Sequence, residues 1–293
     1  MPLKKLATKD ELGNTAAHFF KSGNILRHSE NDKLLNIKAR MPKVVLGDKK
    51  VQYDLWYNVA EKLAGFVYTD LFTSFIYLKP ASEKYCLEIL RQAVQTTEIT
   101  DALRLLENLR VNNVDKYKLR PTSLKHDFVI FLPGSNILKK VVNLAKIKNA
   151  VEQGAKLKLH PITSNPLVES LKYRFGKDAI LDKKISGHTL LNRATRVGYC
   201  QNSELGMLAM IKGKEVHDFG LADNWLTYTA IYQTLFCNED KDPYLKLASI
   251  ISCPFSGIVP YQYPTQVDDF FNFFKQGRHD APTYFSGEMR FAS

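Results

Sequence analysis

The sequence predicts an α/β protein built on a parallel, Rossmann-like sheet, and three observations carry that expectation. Between 156 and 220, short apolar runs (157–159, 179–181, 197–200, 216–219) alternate with helix-length patterns (166–175, 187–194, 203–212). This is the rhythm of βαβ units. Upstream, DFVIFL at 127–132 is a continuous apolar run that opens into Pro133-Gly134-Ser135-Asn136 and a helix-length stretch to Gln153, closed by Gly154. A strand covered on both faces reads this way. Third, polar residues follow each run: His160, Lys183 to Ser186, Asn202 to Glu204, and Asp218. Ligands of open parallel sheets sit beyond the carboxyl ends of the strands, so these are the positions where a site would form.

Taken in order, the first fifty residues are polar and basic. Within them 12–20 and 33–39 each fit a short helix, and 44–46 and 51–57, around the Gly47-Asp48 turn, fit a hairpin. Apolar residues at three- and four-residue spacing (Val59, Leu63, Phe66, Val67, Leu71, Phe75) predict an amphipathic helix over 58–75, and 75–78 a strand ending at Pro80. Ser82 can cap a helix to Val94, and Thr97 or Thr100 one through Leu109. The basic, aperiodic KYKLRPTSLKH at 116–126, with Pro121, reads as a linker. The expected division is therefore a helix-rich domain at 1–120 and a Rossmann-like domain with C-terminal helices at 121–293. In the latter, 225–236 and 244–252 fit helices, 254–264 a loop rich in Pro and Tyr, and 267–276 an amphipathic helix, before a polar tail from Gly277.

A chain of 293 residues can bury the core of one large or two modest domains, and 45% apolar with 11% aromatic residues is ordinary for a globular protein. No apolar run approaches the roughly eighteen residues of a membrane span, and MPLKKLATKDELG lacks the hydrophobic core of a signal peptide. The expected address is the cytoplasm. Cys86, Cys200, Cys237 and Cys253 lie far apart without paired spacing, which argues against a zinc site or a disulfide framework and for reduced, mostly buried thiols. The net charge of +11 is uneven: +6 over 1–50, +1 over 51–126, +7 over 127–220 and −3 over 221–293. A phosphorylated donor accounts for a few of those charges. The remainder suits a polyanionic partner such as nucleic acid, an acidic glycan or an anionic membrane surface, or simply a solvated surface kept soluble by its charge.

The pair that closes the second strand, KLHP at 158–161, and the block QNSELGMLAMIKGKEV at 201–216 resemble the HP and Ser motifs of GT-B glycosyltransferases. The nearest pattern is that of capsule-polysaccharide Kdo transferases and bacterial sialyltransferases. The resemblance covers about 127–220. Ser203, Gly206, Ala209, Gly213, Lys214 and Val216 fall in step with it, whereas Glu204, Leu208 and Glu215 depart, so the architecture carries over and the nucleotide stays open. It implies a GT-B-like fold in which a nucleotide sugar is the donor substrate, no cofactor is needed, and helix dipoles and basic residues do the work a metal does elsewhere.

Under that resemblance His160 is the first candidate, placed to donate a hydrogen bond to the leaving phosphate; the alternative is a histidine satisfied by local backbone. Ser203 with Asn202 could hold phosphate at a helix start or merely cap the helix. Glu204 suits a ribose hydroxyl or the helix N-terminus. The Gly134-Ser135 turn leaves backbone N–H groups for phosphate, Lys183 belongs to a solvated basic loop or reaches base or ribose, and Asp218 could meet sugar hydroxyls or cap its loop. A catalytic base is normally supplied by the N-terminal domain. Asp54 and Asp70, with His18, His28 and Glu61, are available there, and no spacing selects among them.

Two functions remain. One is a glycosyltransferase moving a UDP- or CMP-linked sugar to a hydroxyl acceptor on a polyanion, either a hydroxylated base in phage DNA or a bacterial surface glycan. The other is a non-catalytic nucleic-acid-binding protein on a degenerate glycosyltransferase fold.

Overall fold

The computed structural model describes residues 45–46, 49–50, 62–63, 66–80, 83–112, 119–135, 137–221, 227–237 and 241–270. The helices expected at 12–20 and 33–39, the strand at 51–57, His18, His28, Asp54, Glu61 and the tail lie outside these residues. Strands β1 (Val45–Leu46) and β2 (Lys49–Lys50) pair antiparallel, Val45 with Lys50 and Leu46 with Lys49.

Strands β3 (Lys62–Leu63), β4 (Phe66–Leu71) and β5 (Phe75–Pro80) form an antiparallel meander where the sequence suggested a helix over 58–75. Nine of the thirteen residues in FVYTDLFTSFIYL at 66–78 are aromatic or β-branched, types that lose side-chain freedom in a helix and pack well on a pleated surface. Leu71 and Phe75, four apart and read as one helix face, are cross-strand partners instead. Phe72 and Thr73 make the turn, both at φ 56, a left-handed conformation that costs a non-glycine residue about 1–2 kcal/mol. Burial of the Phe72 ring, edge-on to Phe75 at 6.4 Å, offsets that cost.

Helix α1 (Glu83–Ala93) buries Cys86, Ile89, Leu90 and Ala93, and α2 (Thr100–Val111) buries Ala102, Leu106 and Leu109, single stripes at helical spacing. Strand β6 (Phe128–Phe131) is buried throughout and opens the parallel sheet. It is followed by a single helical turn, α3 (Leu138–Val141), and by α4 (Leu144–Glu152), whose N-cap Asn143 accepts from the Lys146 N–H. Then come β7 (Lys156–Lys158), α5 (Asn165–Phe175), β8 (Ile180–Leu181), α6 (Gly187–Arg193), β9 (Arg196–Tyr199), α7 (Leu205–Ile211) and β10 (Glu215–Asp218). The five strands lie in the order β10-β9-β6-β7-β8, all parallel. The predicted Rossmann-like α/β architecture is thus present. One face is sealed by Ile130, Leu138, Val142, Ile147, Leu157 and Phe219 among others. At the amino edge Arg196 joins the start of β9 to that of β6, with Nη2 2.6 Å from Asp127 Oδ2 and its guanidinium over the Phe128 ring.

The chain closes with α8 (Thr229–Phe236), α9 (Pro243–Ser252), β11 (Ile258–Pro260) and the first turn of the helix expected from 267. The Pro- and Tyr-rich segment 254–264 therefore contains a strand, β11, which pairs antiparallel with β5. Gly257, at φ +82, permits this. Its carbonyl accepts the Leu78 N–H at 2.7 Å, and a Cβ there would lie 1.8 Å from the Leu78 carbonyl oxygen.

Two compact units result. One gathers the described residues from Leu106 to Thr229; the other combines those before Leu106 with those from Ala230 onward. The C-terminal helices, assigned from the sequence to the Rossmann-like domain, group instead with the N-terminal elements, because β11 extends the β3–β5 sheet and α9 packs on α1 and β11. The division read at residue 120 does not coincide with these units. Nor is the described part of the expected linker a free connection: the Arg120 N–H donates to Lys184 O at 3.1 Å and its carbonyl accepts the Ser186 N–H at 2.7 Å. Among the described residues no helix is long and apolar enough to cross a membrane.

Candidate functional site

From β6 the chain winds one way through β7 and β8, then returns to the other side of β6 for β9 and β10. The reversal falls between β6 and β9, where the connections leaving the two carboxyl ends diverge and open the crevice that such sheets offer a ligand. Residues 132–135 and 200–204 border it.

After β6 the chain runs into the Gly134-Ser135 loop. Ile137 and Leu138 N–H groups both donate to Gly134 O, at 3.2 and 3.1 Å, and the Ser135 hydroxyl oxygen accepts the Ser164 N–H at 2.7 Å. Gly134 and Ser135 thus fasten this loop to the one after β7; Asn136 is outside the described residues.

After β7 the chain turns at His160-Pro161, with the Thr163 N–H donating to His160 O at 2.9 Å. The His160 Nδ1 accepts from the Ile162 N–H at 3.4 Å, which leaves the ring proton on Nε2. Burial, aided by the Lys158 charge, pushes the imidazole pKa down to about 3, so this histidine is neutral at physiological pH and donates through Nε2 alone. Lys158 itself, 3% exposed on β7, directs its ammonium to the carbonyls of Leu159 and Lys183. Lys183 in turn donates to Thr163 O at 2.8 Å and Asn165 Oδ1 at 2.9 Å. Lys183 thus braces the His160 turn. Within that turn Thr163 is 1% exposed and its Oγ1 has no hydrogen-bond partner.

The sequence reading missed Lys158 and Thr163. The signal for Lys158 was a cation inside the strand KLKL, whose neighbours Leu157 and Leu159 demand burial and whose sheet is covered on both faces. A long ammonium in such a strand has to find carbonyls or an anion.

Past β9, Ser203 Oγ accepts the Leu205 N–H at 3.2 Å in the turn before the seven-residue α7, whose N-cap position is Glu204. Asn202 Oδ1 is buried without a hydrogen-bond partner, and Glu204 is 3% exposed at the start of α7, where a carboxylate is favoured by the helix dipole. Asp218, at the end of β10, accepts from Gln201 Nε2 at 2.6 Å through one oxygen and from the Gly220 N–H at 2.8 Å through the other. That is the loop-capping arrangement, and it ties the β9 and β10 connections together. Cys200, fully buried beside them, has its thiol pushed up to about 12 by burial and the Asp218 charge, so it is an inert core residue.

The carboxyl edge is therefore polarised. The β7–β8 end carries two ammonium groups and a neutral imidazole; the β9–β10 end carries the acceptors Asn202, Glu204 and Asp218, with the Lys146 ammonium on the Asp218 carbonyl. The structure brings Gly134, Ser135, His160 and Lys183 to one set of linked loops and Asn202, Ser203, Glu204 and Asp218 to the neighbouring set. Asp70, by contrast, belongs to β4 of the antiparallel-sheet unit, opposite Ile76.

Among the described residues no group of three or more His, Cys, Asp or Glu is placed to hold a metal. The chain does contain one Asp-x-Asp triplet of the kind metal-dependent transferases use, Asp240-Lys241-Asp242. Asp242, however, is the N-cap of α9, its Oδ1 accepting the N–H groups of Tyr244 at 2.7 Å and Leu245 at 3.4 Å, and Asp240 is outside the described residues.

No protein-family model and no curated protein sequence matches this chain. Among solved structures, KpsC of Thermosulfurimonas dismutans, described as a β-Kdo 2,7-transferase, is similar at 17% identity with a TM-score of 0.41, over 71% of this chain and 78% of that one.

Proposed function

We propose that the carboxyl edge of the parallel sheet binds the nucleotide part of a sugar donor, and that the protein is a metal-independent glycosyltransferase acting on a hydroxyl acceptor. The observation that carries this reading is the polarised edge. Its donor side, His160 and Lys158, suits a phosphate, and its acceptor side, Asn202 and Glu204, suits the hydroxyl and N–H groups of a nucleoside. The HP and Ser motifs fall on these same two sides.

In the transfer the acceptor oxygen bonds to the anomeric carbon as the bond from that carbon to the phosphate oxygen breaks. The phosphate takes the electron pair and the acceptor proton passes to a base. The His160 Nε2–H meets the charge that grows on the leaving oxygen, and being neutral it stabilises that charge without delivering a proton prematurely. The positive potential of Lys158 acts on the same group. For the base we propose a carboxylate, with Asp54 and Asp70 as the residues to substitute. The acceptor is a hydroxyl on an acidic glycan, in keeping with the net charge of +11.

Thermal-shift measurements test the donor half. CMP or UDP should raise the melting temperature through linkage, and EDTA should leave the shift intact. Stabilisation by neither nucleotide would turn the reading to the non-catalytic nucleic-acid-binding alternative. His160→Ala should lower turnover on the order of a hundredfold in a folded protein, the usual cost of deleting one transition-state donor. Lys158→Met should weaken nucleotide binding by about ten- to a hundredfold, the range for a hydrogen bond or ion contact to a charged group. Binding of duplex DNA that weakens steeply with salt would move the acceptor from glycan to a hydroxylated DNA base.

A further inference from the structure

Helix α5 starts without the groups that usually close a helix end. Its N-cap Ser164 makes no side-chain capping bond, Pro166 has no N–H, and no acidic residue stands in the first turn. The N–H groups of Asn165 and Leu167 therefore have no acceptor within the helix. Directly before the cap, Thr163 is 1% exposed and its Oγ1 has no hydrogen-bond partner. A hydroxyl buried in this way costs free energy until something pairs with it.

A cation stands at the same helix end. Lys183 Nζ donates to Thr163 O at 2.8 Å and to Asn165 Oδ1 at 2.9 Å, which uses two of its three N–H groups, and it makes no ion pair with the described residues. The helix dipole is positive here, so the ammonium and the amides repel one another and an anion relieves both. The neighbouring acids are engaged elsewhere: exposed Asp182 accepts the Lys184 N–H at 3.0 Å, and Glu169 pairs with Lys172 at 2.8 Å. His160 belongs to the same turn, its carbonyl accepting the Thr163 N–H at 2.9 Å. Its neutral ring has one N–H and serves one phosphate oxygen. The Thr163 hydroxyl, the two amides and the third Lys183 N–H form a second set of donors beside it. We propose that the N-terminus of α5, with Thr163 and Lys183, seats a second phosphate group, so that the donor is a nucleoside diphosphate sugar rather than a monophosphate one. The inference rests on the transferase reading for the sugar and nucleoside, and on these residues for the phosphate.

Calorimetric titration of the full chain tests it. UDP and CDP should bind at least about tenfold more tightly than UMP and CMP, the worth of a hydrogen bond to a charged group. Thr163→Val removes the unpaired hydroxyl at nearly constant volume. The melting temperature without ligand should hold or rise, diphosphate affinity should fall about tenfold, and monophosphate affinity should stay the same. Thr163→Ser should keep the diphosphate affinity. Lys183→Met, with its fold checked by melting temperature, should erase the preference for diphosphates. Equal binding of mono- and diphosphates, a preference that survives both substitutions, or a Thr163→Val protein that melts earlier yet binds UDP and CDP normally would overturn the proposal. Inorganic pyrophosphate keeps the two readings apart. If nucleotides bind with no preference for diphosphates, the second phosphate position fails alone; if pyrophosphate binds in a Thr163-dependent way and a nucleoside adds no affinity, the position stands and the transferase reading fails. Binding of neither nucleotide nor pyrophosphate would overturn both.

Discussion

His160 shows how far a single residue departs from its sequence-level description. An exposed histidine would be half charged near its ordinary pKa of 6.5; here burial holds the folded-state value at about 3. The unfolded chain therefore binds a proton that the folded chain refuses as pH falls from about 6.5 toward 3. This residue's contribution to stability is complete above 6.5 and is lost progressively below it. Urea midpoints at pH 7 and pH 4 should fall further in the parent than in His160→Gln, the difference isolating this histidine from the carboxylates common to both. Gly198 is a second residue whose role needed the tertiary structure. It sits in β9 where a Cβ would approach Ile130 Cγ1 to 2.7 Å and the Phe219 ring to 2.8 Å, so Gly198→Ala overpacks the sheet face and should cost about 1–3 kcal/mol by denaturant titration. His160 was legible because a His-Pro pair ended a clear apolar run. Lys158 was not, because its importance is its burial, and burial of a cation is a property of what surrounds the strand.

At the scale of elements, those with local punctuation were read well and those decided by partners were not. The Asp242-Pro243 start of α9 is written in the chain, with the cap, the proline at the first turn and the apolar face in succession. Asp242→Ala should cost about 1 kcal/mol and leave the rest of the unit in place. The β4–β5 hairpin carries an apolar spacing that suits a helix as readily as two strands joined by a turn, and pairing across the turn settles the choice. Strand β11 exists because Gly257 lets its backbone approach Leu78 within hydrogen-bonding distance. Gly257→Ala, which sets a Cβ against a carbonyl at 1.8 Å, should detach β11 and destabilise the unit by more than about 2 kcal/mol, seen as an early phase in thermal unfolding.

At the scale of the whole molecule, the antiparallel-sheet unit is assembled from two segments distant in sequence, and the parallel-sheet unit from the one between them. A chain ending at Thr229 should therefore lose β11 and α9 and with them the order of β3–β5 and α1. The parallel sheet, whose strands all precede Glu215–Asp218 or end there, should persist and keep any nucleotide-dependent stabilisation. Loss of that stabilisation together with the far-ultraviolet signal of the whole chain would count against two independent units. By itself the sequence determined the strand-helix rhythm from 127 to 220, the parallel sense of the sheet and the positions at which polar residues leave its strands. Apolar periodicity and helix stops are local, and βαβ crossovers force neighbouring strands to run alike. Tertiary structure decided the strand order that puts the crevice between β6 and β9, the neutral state of His160, the burial of Lys158 and the pairing of Asp218 with Gln201. It also decided the return of the C-terminal helices to the N-terminal sheet. Each of these depends on contacts between residues far apart in the chain, which periodicity and punctuation do not encode.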